Sequence, residues 1–155
     1  MAQLKEGTKA PDFSLSSSDS GTISLKDLRG KNVVLYFYPK DDTPGCTKEA
    51  CSFRDLRKDF QALNTEIFGV SFDSINSHKK FITKYKLPFP LLSDEDKSVA
   101  KKYGVYKLKS FMGREYMGIE RTTFVIDQNL KIRKIFPKVK VEGHTEEVLS
   151  AIKSL

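Results

Sequence analysis

The stretch Val33-Val34-Leu35-Tyr36-Phe37-Tyr38-Pro39-Lys40-Asp41-Asp42-Thr43-Pro44-Gly45-Cys46-Thr47-Lys48-Glu49-Ala50-Cys51 holds both cysteines of this 155-residue chain. Its first six residues are β-branched, aliphatic or aromatic, the composition of a buried strand. Pro39 ends that strand, because it has no N–H to give to a sheet ladder. Thr43 then reads as an N-cap and Pro44 as a first helical residue, where a missing N–H costs nothing. On that count Cys46 is the third residue of a helix. Its sulfur lies near backbone N–H groups that lack intrahelical partners and near the positive end of the helix dipole. Such a place favours thiolate over thiol.

The spacing of the two cysteines says something further. Residues five apart on an ideal helix are separated by about 140° of rotation and ~7.5 Å of rise, which puts the Cα atoms roughly 8.6 Å apart. A disulfide spans about 4.4–6.8 Å. If both cysteines are helical, the helix start must unwind before they bond. A disulfide made and broken during a reaction fits this better than a permanent staple.

Composition sets the outer bounds. A chain of this length is enough for one domain with a sizeable core, and residues 1–155 are read as a single domain. The longest apolar runs fall well short of the roughly 20 residues that cross a bilayer. The beginning, Met1 to Gly7, lacks the charged-then-apolar layout of a secretory signal, so a cytoplasmic location is expected. Two cysteines in a reducing compartment point to redox chemistry or inert thiols rather than a disulfide framework. The net charge of +7 comes from 27 basic and 20 acidic residues. The lysines are dispersed, and the densest stretches, 131–134 and 138–140, alternate with apolar residues as a half-exposed strand does. That is a solvated surface rather than a nucleic-acid stripe.

Outward from the opening stretch, the chain reads as alternating strands and helices. Residues 10–15 and 21–25 form an N-terminal hairpin with a Ser-rich turn, followed by a short helical turn at 25–28 stopped by Gly30. After the strand at 33–38, one helix from Thr43 carries Ala50, Phe53, Leu56, Phe60 and Leu63 inward. A strand at 66–71, a helix at 77–85, a short strand at Leu91-Leu92 and a helix from Asp94 to Tyr103 come next. Residues 105–120 read as irregular, with Met112 and Met117 either covering a site as a flap or simply packing. Strands at 122–127 and 131–136 and a helix from His144 complete the chain. This order predicts an α/β fold of thioredoxin-like type, with a mixed central sheet flanked by helices and an N-terminal β-hairpin extension.

The run Pro39-x-x-x-Thr43-x-x-Cys46 resembles the active-site pattern of the peroxiredoxins. The second cysteine five residues on is similar to the bacterioferritin comigratory protein, or peroxiredoxin Q, branch. The likeness covers nearly the whole chain, including Ala10-Pro11-Asp12-Phe13, Ser77-His78-Lys79-Lys80-Phe81, Arg121-Thr122-Thr123-Phe124 and Lys138 to His144. It implies a thiol peroxidase for hydrogen peroxide and organic hydroperoxides, serving antioxidant defence. It makes Cys46 the attacking cysteine, converted to a sulfenic acid, and Cys51 the resolving one, closing an intramolecular disulfide. Arg121 would bind peroxide and hold the thiolate. The Thr43 hydroxyl would bridge peroxide and sulfur. Pro39 would shield the sulfur, and the amides of Gly45 and Cys46 would complete the cradle. Glu49 is implied near Arg121. Tyr38 and Phe53 read as core residues, with lining of the pocket as the alternative. Thioredoxin, or a glutaredoxin-type dithiol, would restore the thiols. No metal, haem or flavin is implied, and the branch suggests a monomer.

Two other functions compete on the sequence. A general disulfide oxidoreductase is expected to carry Cys-x-x-Cys, which this chain lacks. A basic binding protein would leave the motif unused. Zinc would need His78 and His144 to join the cysteines, which their spacing does not suggest. Both histidines are expected at the surface.

Overall fold

The computed structural model describes residues 4–19 and 21–155. Its centre is β3 (Asn32–Phe37), in which all six residues are buried. It pairs in parallel with β4 (Thr65–Ser71) and antiparallel with β8 (Thr122–Ile126). A strand with neighbours on both edges and packing on both faces cannot alternate polar with apolar, hence its continuous apolar run. β5 (Leu91–Ser93) joins β4 in parallel. The extension β1 (Ser14–Ser17) and β2 (Thr22–Ser24) adds to β5 through β1, and β9 (Ile132–Phe136) closes the other edge. The seven-stranded order is β2-β1-β5-β4-β3-β8-β9.

Alternate residues of β3 feed two cores. Val33, Leu35 and Phe37 pack with Phe13, Leu25, Phe124 and with Tyr103, which follows α4 (Ser98–Lys102). Val34, Tyr36 and Tyr38 pack on the opposite face with α1 (Pro44–Asp55), α2 (Arg57–Ala62), α3 (Ile75–Tyr85) and α5 (His144–Lys153). The thioredoxin-like mixed sheet with helices on both faces is the architecture expected from the element order. Among the described residues no helix is long and apolar enough to cross a membrane.

Three readings need correction. The single helix from Thr43 is two helices, broken at Leu56, which still leaves Phe53 and Phe60 buried on one core. The segment 105–120 is not irregular. It is a hairpin of β6 (Tyr106–Phe111) and β7 (Arg114–Ile119), closed by Met112 and Gly113 with φ of 51° and 80°. Two positive-φ residues make the turn whose twist matches a two-residue hairpin, and Gly113 takes its φ without steric cost. Met112 at its tip is 87% exposed, so it packs in neither core. Finally, His78 and His144 are both buried. Each begins an inward stripe, His78 with Phe81 and His144 with Val148 and Ile152, and the stripe carries the ring inside.

Candidate active site

The antiparallel pairing of β3 with β8 brings distant sequence together. Phe37, the last residue of β3, lies opposite Thr122, the first of β8. Arg121 therefore stands beside the chain that leaves β3 toward α1. This is why a residue 75 positions from Cys46 reaches it: Arg121 Nη2 lies 3.3 Å from Cys46 Sγ. The same guanidinium donates through Nη1 to Glu49 Oε1 at 2.6 Å. Cys46 and Glu49 are one helical turn apart on α1, so a single planar fork spans both.

Cys46 is the third residue of α1 and only 2% exposed. Thr43 occupies the N-cap position, with extended backbone and no capping bond from its side chain. Its hydroxyl donates instead to the Lys40 carbonyl at 2.9 Å. The Thr43 side chain thus leaves the first amides of α1 without a capping acceptor. Gly45 leaves room for the arginine. A Cβ there would stand 3.2 Å from Arg121 Nη2. Pro39 is half-buried just after β3.

The electrostatics around Arg121 are concentrated. Burial disfavours its charge, but Glu49 and Cys46 outweigh burial and raise it above its ordinary value. Glu49 is fully buried, and burial pushes its carboxyl up to about 7 although Arg121 pulls the other way. Its Oε2 and the Tyr36 hydroxyl are buried without a hydrogen-bond partner among the described residues. Tyr36 is raised well above the ordinary phenol range by burial first, then by the charges of Glu49 and Cys46. From the hairpin, Lys109 adds a second cation. Its Nζ donates to the Ile119 carbonyl at 2.9 Å, and burial, then Arg121, lowers it.

Cys51 lies apart from this cluster. It is free, like Cys46, but half-exposed, and lines an open cleft of about 450 Å³ with Pro44, Thr47, Lys48 and Tyr85. With Cys46 and Cys51 both inside α1, a helix holds them beyond disulfide reach.

Of the residues singled out in the sequence, Cys46, Arg121, Glu49 and Gly45 meet directly. Tyr38 points elsewhere: its hydroxyl donates to Asp41 Oδ1 at 2.5 Å. Asp41 was not among them, nor was the buried role of His78, whose Nδ1 is 2.8 Å from Asp41 Oδ2. The three-residue step from His78 to Phe81 was the available signal. Only Tyr38, just after β3, is near Asp41 in sequence; its other partners come from α3 and from Asp73, just past β4. His144, also buried, meets the Thr123 hydroxyl through Nε2 at 2.8 Å, and burial, then Arg121, lowers it to about 4.

The chain as a whole is similar to known proteins. Residues 7–135 match the AhpC/TSA family. A putative peroxiredoxin Bcp of Coxiella burnetii is 50% identical over 149 residues, covering 96% of this chain and 99% of that protein. Peroxiredoxin Bcp of Bacillus subtilis is 50% identical over 152 residues, covering 98% and 97%. Among solved structures, a cysteine-to-serine mutant of Xylella fastidiosa PrxQ superposes with a TM-score of 0.93 at 37% identity, over 99% of this chain and 98% of that one. The Xanthomonas campestris bacterioferritin comigratory protein, described for its alkyl peroxide reduction activity, gives a TM-score of 0.90 at 38% identity, over 97% and 98%.

Proposed function

Because the chain belongs to the AhpC/TSA family and, within it, to the Bcp peroxiredoxins, it is a thiol peroxidase, and we propose that Cys46 is the sulfur that attacks the peroxide. The observation that carries this reading is the Arg121 fork, with one nitrogen 3.3 Å from Cys46 Sγ and the other on buried Glu49. A sulfur at a helix start, faced by a fixed guanidinium, is a nucleophile placed for attack.

The chemistry proceeds in three steps. The Cys46 thiolate attacks the terminal oxygen of ROOH, the O–O bond breaks, and RO⁻ leaves while Cys46 becomes a sulfenic acid. Negative charge grows on the leaving oxygen, where Arg121 and the amides of Gly45 and Cys46 stabilise it. A proton from solvent completes ROH, which is water when the substrate is hydrogen peroxide. The Thr43 hydroxyl, already donating to Lys40, has lone pairs free to accept from the peroxide O–H. Pro39, half-buried after β3, narrows access to the loop.

In the second step the Cys51 thiol condenses with the sulfenic acid, releasing water and closing the Cys46–Cys51 disulfide. The helical separation of the two sulfurs requires the first turn of α1 to unwind. In the third, a dithiol protein of thioredoxin type attacks the disulfide and returns both thiols. The half-exposed position of Cys51 beside an open cleft supports entry from that side. A cycle that depends on such a reductant belongs in a reducing compartment such as the cytoplasm, and it runs within one chain, so a monomer suffices.

The test is hydrogen peroxide consumption by reduced protein with thioredoxin, its reductase and NADPH. The expected result is turnover in the parent and none in Cys46→Ser. Undiminished turnover in Cys46→Ser would contradict the assignment.

A further inference from the structure

Both ring nitrogens of His78 face acceptors. Nε2 lies 2.9 Å from the Leu92 carbonyl and Nδ1 2.8 Å from Asp41 Oδ2. A carbonyl can only accept, so Nε2 carries a hydrogen. Asp41 meanwhile accepts from the Tyr38 hydroxyl at 2.5 Å and from the Ser77 hydroxyl at 2.7 Å. Its contact with Nδ1 needs one more proton, on the ring or on the carboxyl, and the pair shares it. Both residues are buried, where a contact left half-made costs far more than in water.

The backbone of Asp41 is tied as well. Its amide donates to Asp73 Oδ2 at 2.8 Å, and Asp73 Oδ2 also accepts from the Ser71 hydroxyl at 2.6 Å. Asp41, Asp73 and His78 bring ligand-type atoms within 4.8 Å of one another. Donors already occupy those oxygens, so the three groups serve each other rather than a cation.

The position of the cluster gives it a consequence. Asp41 lies in the loop that joins β3 to α1, five residues before Cys46. The next residue, Asp42, has φ of 57° and accepts from Lys84 Nζ and the Tyr85 hydroxyl, each at 2.8 Å. Two successive aspartates thus fasten the loop to α3, one inside and one outside. We propose that Asp41 and His78 are positioning residues whose hydrogen-bond geometry sets where the first turn of α1, and with it the Cys46 sulfur, stands relative to Arg121. This rests on the reading of Cys46 as the attacking sulfur. Displacing a reacting atom by ~1 Å can cost about 10²-fold in rate. Disulfide closure unwinds that first turn and has no use for the placement. The two steps therefore respond differently: attack slows and condensation does not.

Rapid mixing of reduced protein with hydrogen peroxide separates them, by following thiol loss and then disulfide formation. Asp41→Ala is expected to slow attack at least tenfold and to leave condensation close to the parent rate. Asp41→Asn can donate its amide to a neutral His78 and still accept from Tyr38 or Ser77, so it recovers most of the attack rate. Attack at the parent rate in Asp41→Ala, equal slowing of both steps, or no recovery in Asp41→Asn overturns the proposal. Tyr38→Phe serves if Asp41→Ala does not fold, since it removes one donor at nearly constant volume. A severalfold loss confined to attack supports the proposal, and no loss overturns it. The parent is measured alongside: a parent that loses no thiol overturns the reading of Cys46 itself, before any variant is compared.

Discussion

Cys46 and Cys51 share one helix and almost nothing else. Cys46 sits at the buried start of α1, against Arg121 and beside a carboxylate that no solvent reaches. Cys51 sits five residues on, half-exposed at the lip of an open cleft. The first environment is built for reactivity: a fixed cation, open helix amides and little water. The second is accessible, which suits the proposed attack of a protein reductant on its sulfur. The contrast teaches that one helix can hold two thiols for two jobs, provided that it can come undone between them. On the proposed cycle the Arg121 guanidinium serves the first job, and unwinding of the helix start serves the second.

The largest expected effect falls on the Cys46 side. Arg121→Ala removes the donor that faces the sulfur and the leaving oxygen, and should slow peroxide attack by about 10²–10³-fold, read by single-turnover thiol loss. A loss below about threefold would remove the asymmetry between the two thiols. Next, Cys51→Ser should keep the first turnover at the parent rate and lose thioredoxin-linked recycling. A sustained parent rate in that variant would show that Cys51 is not the resolving thiol.

A subtler effect appears in stability against pH. Glu49 is raised in the folded state, so its contribution is complete below about 4.5 and is lost as pH rises to about 7. His144 is lowered to about 4, so its contribution is complete above about 6.5 and is lost as pH falls toward 4. Between about 4.5 and 6.5 the two oppose each other. Glu49→Gln removes that opposition, and the slope of stability in urea against pH should become more positive in that window, by at most about 1.4 kcal/mol per unit for one proton. The same slope in parent and variant would mean that Glu49 does not titrate there. The smallest effect belongs to the Cys51 side. Lys84→Ala removes an exposed ion pair with Asp42 and should leave the urea midpoint nearly unchanged.

Much of this was legible in the sequence because it is local. The apolar run of β3, the Thr-Pro helix start and the third-residue place of Cys46 follow from strand composition and capping chemistry. Arg121 and Glu49 were legible only through a resemblance, because their meeting depends on β8 running antiparallel beside β3. The hairpin of β6 and β7 was missed because its strands are mostly exposed and its Met-Gly turn is not a common turn pair. His78 and His144 lie inside because each begins a helical stripe of buried residues, a period that outweighs the polarity of the ring. Asp41 was out of reach: apart from Tyr38 its partners lie in α3 and just past β4, and no spacing within 38–42 announces them.

Cys46, not Cys51, is the sulfur proposed to meet the peroxide. The most direct measurement adds one equivalent of hydrogen peroxide to reduced Cys51→Ser and Cys46→Ser proteins, traps sulfenic acid with a carbon nucleophile and locates the adduct by mass spectrometry. Rapid, stoichiometric trapping on Cys46 is expected in the first protein and none on the same timescale in the second. Equal trapping on Cys51, or a Cys46 that reacts no faster than free cysteine, would contradict that assignment.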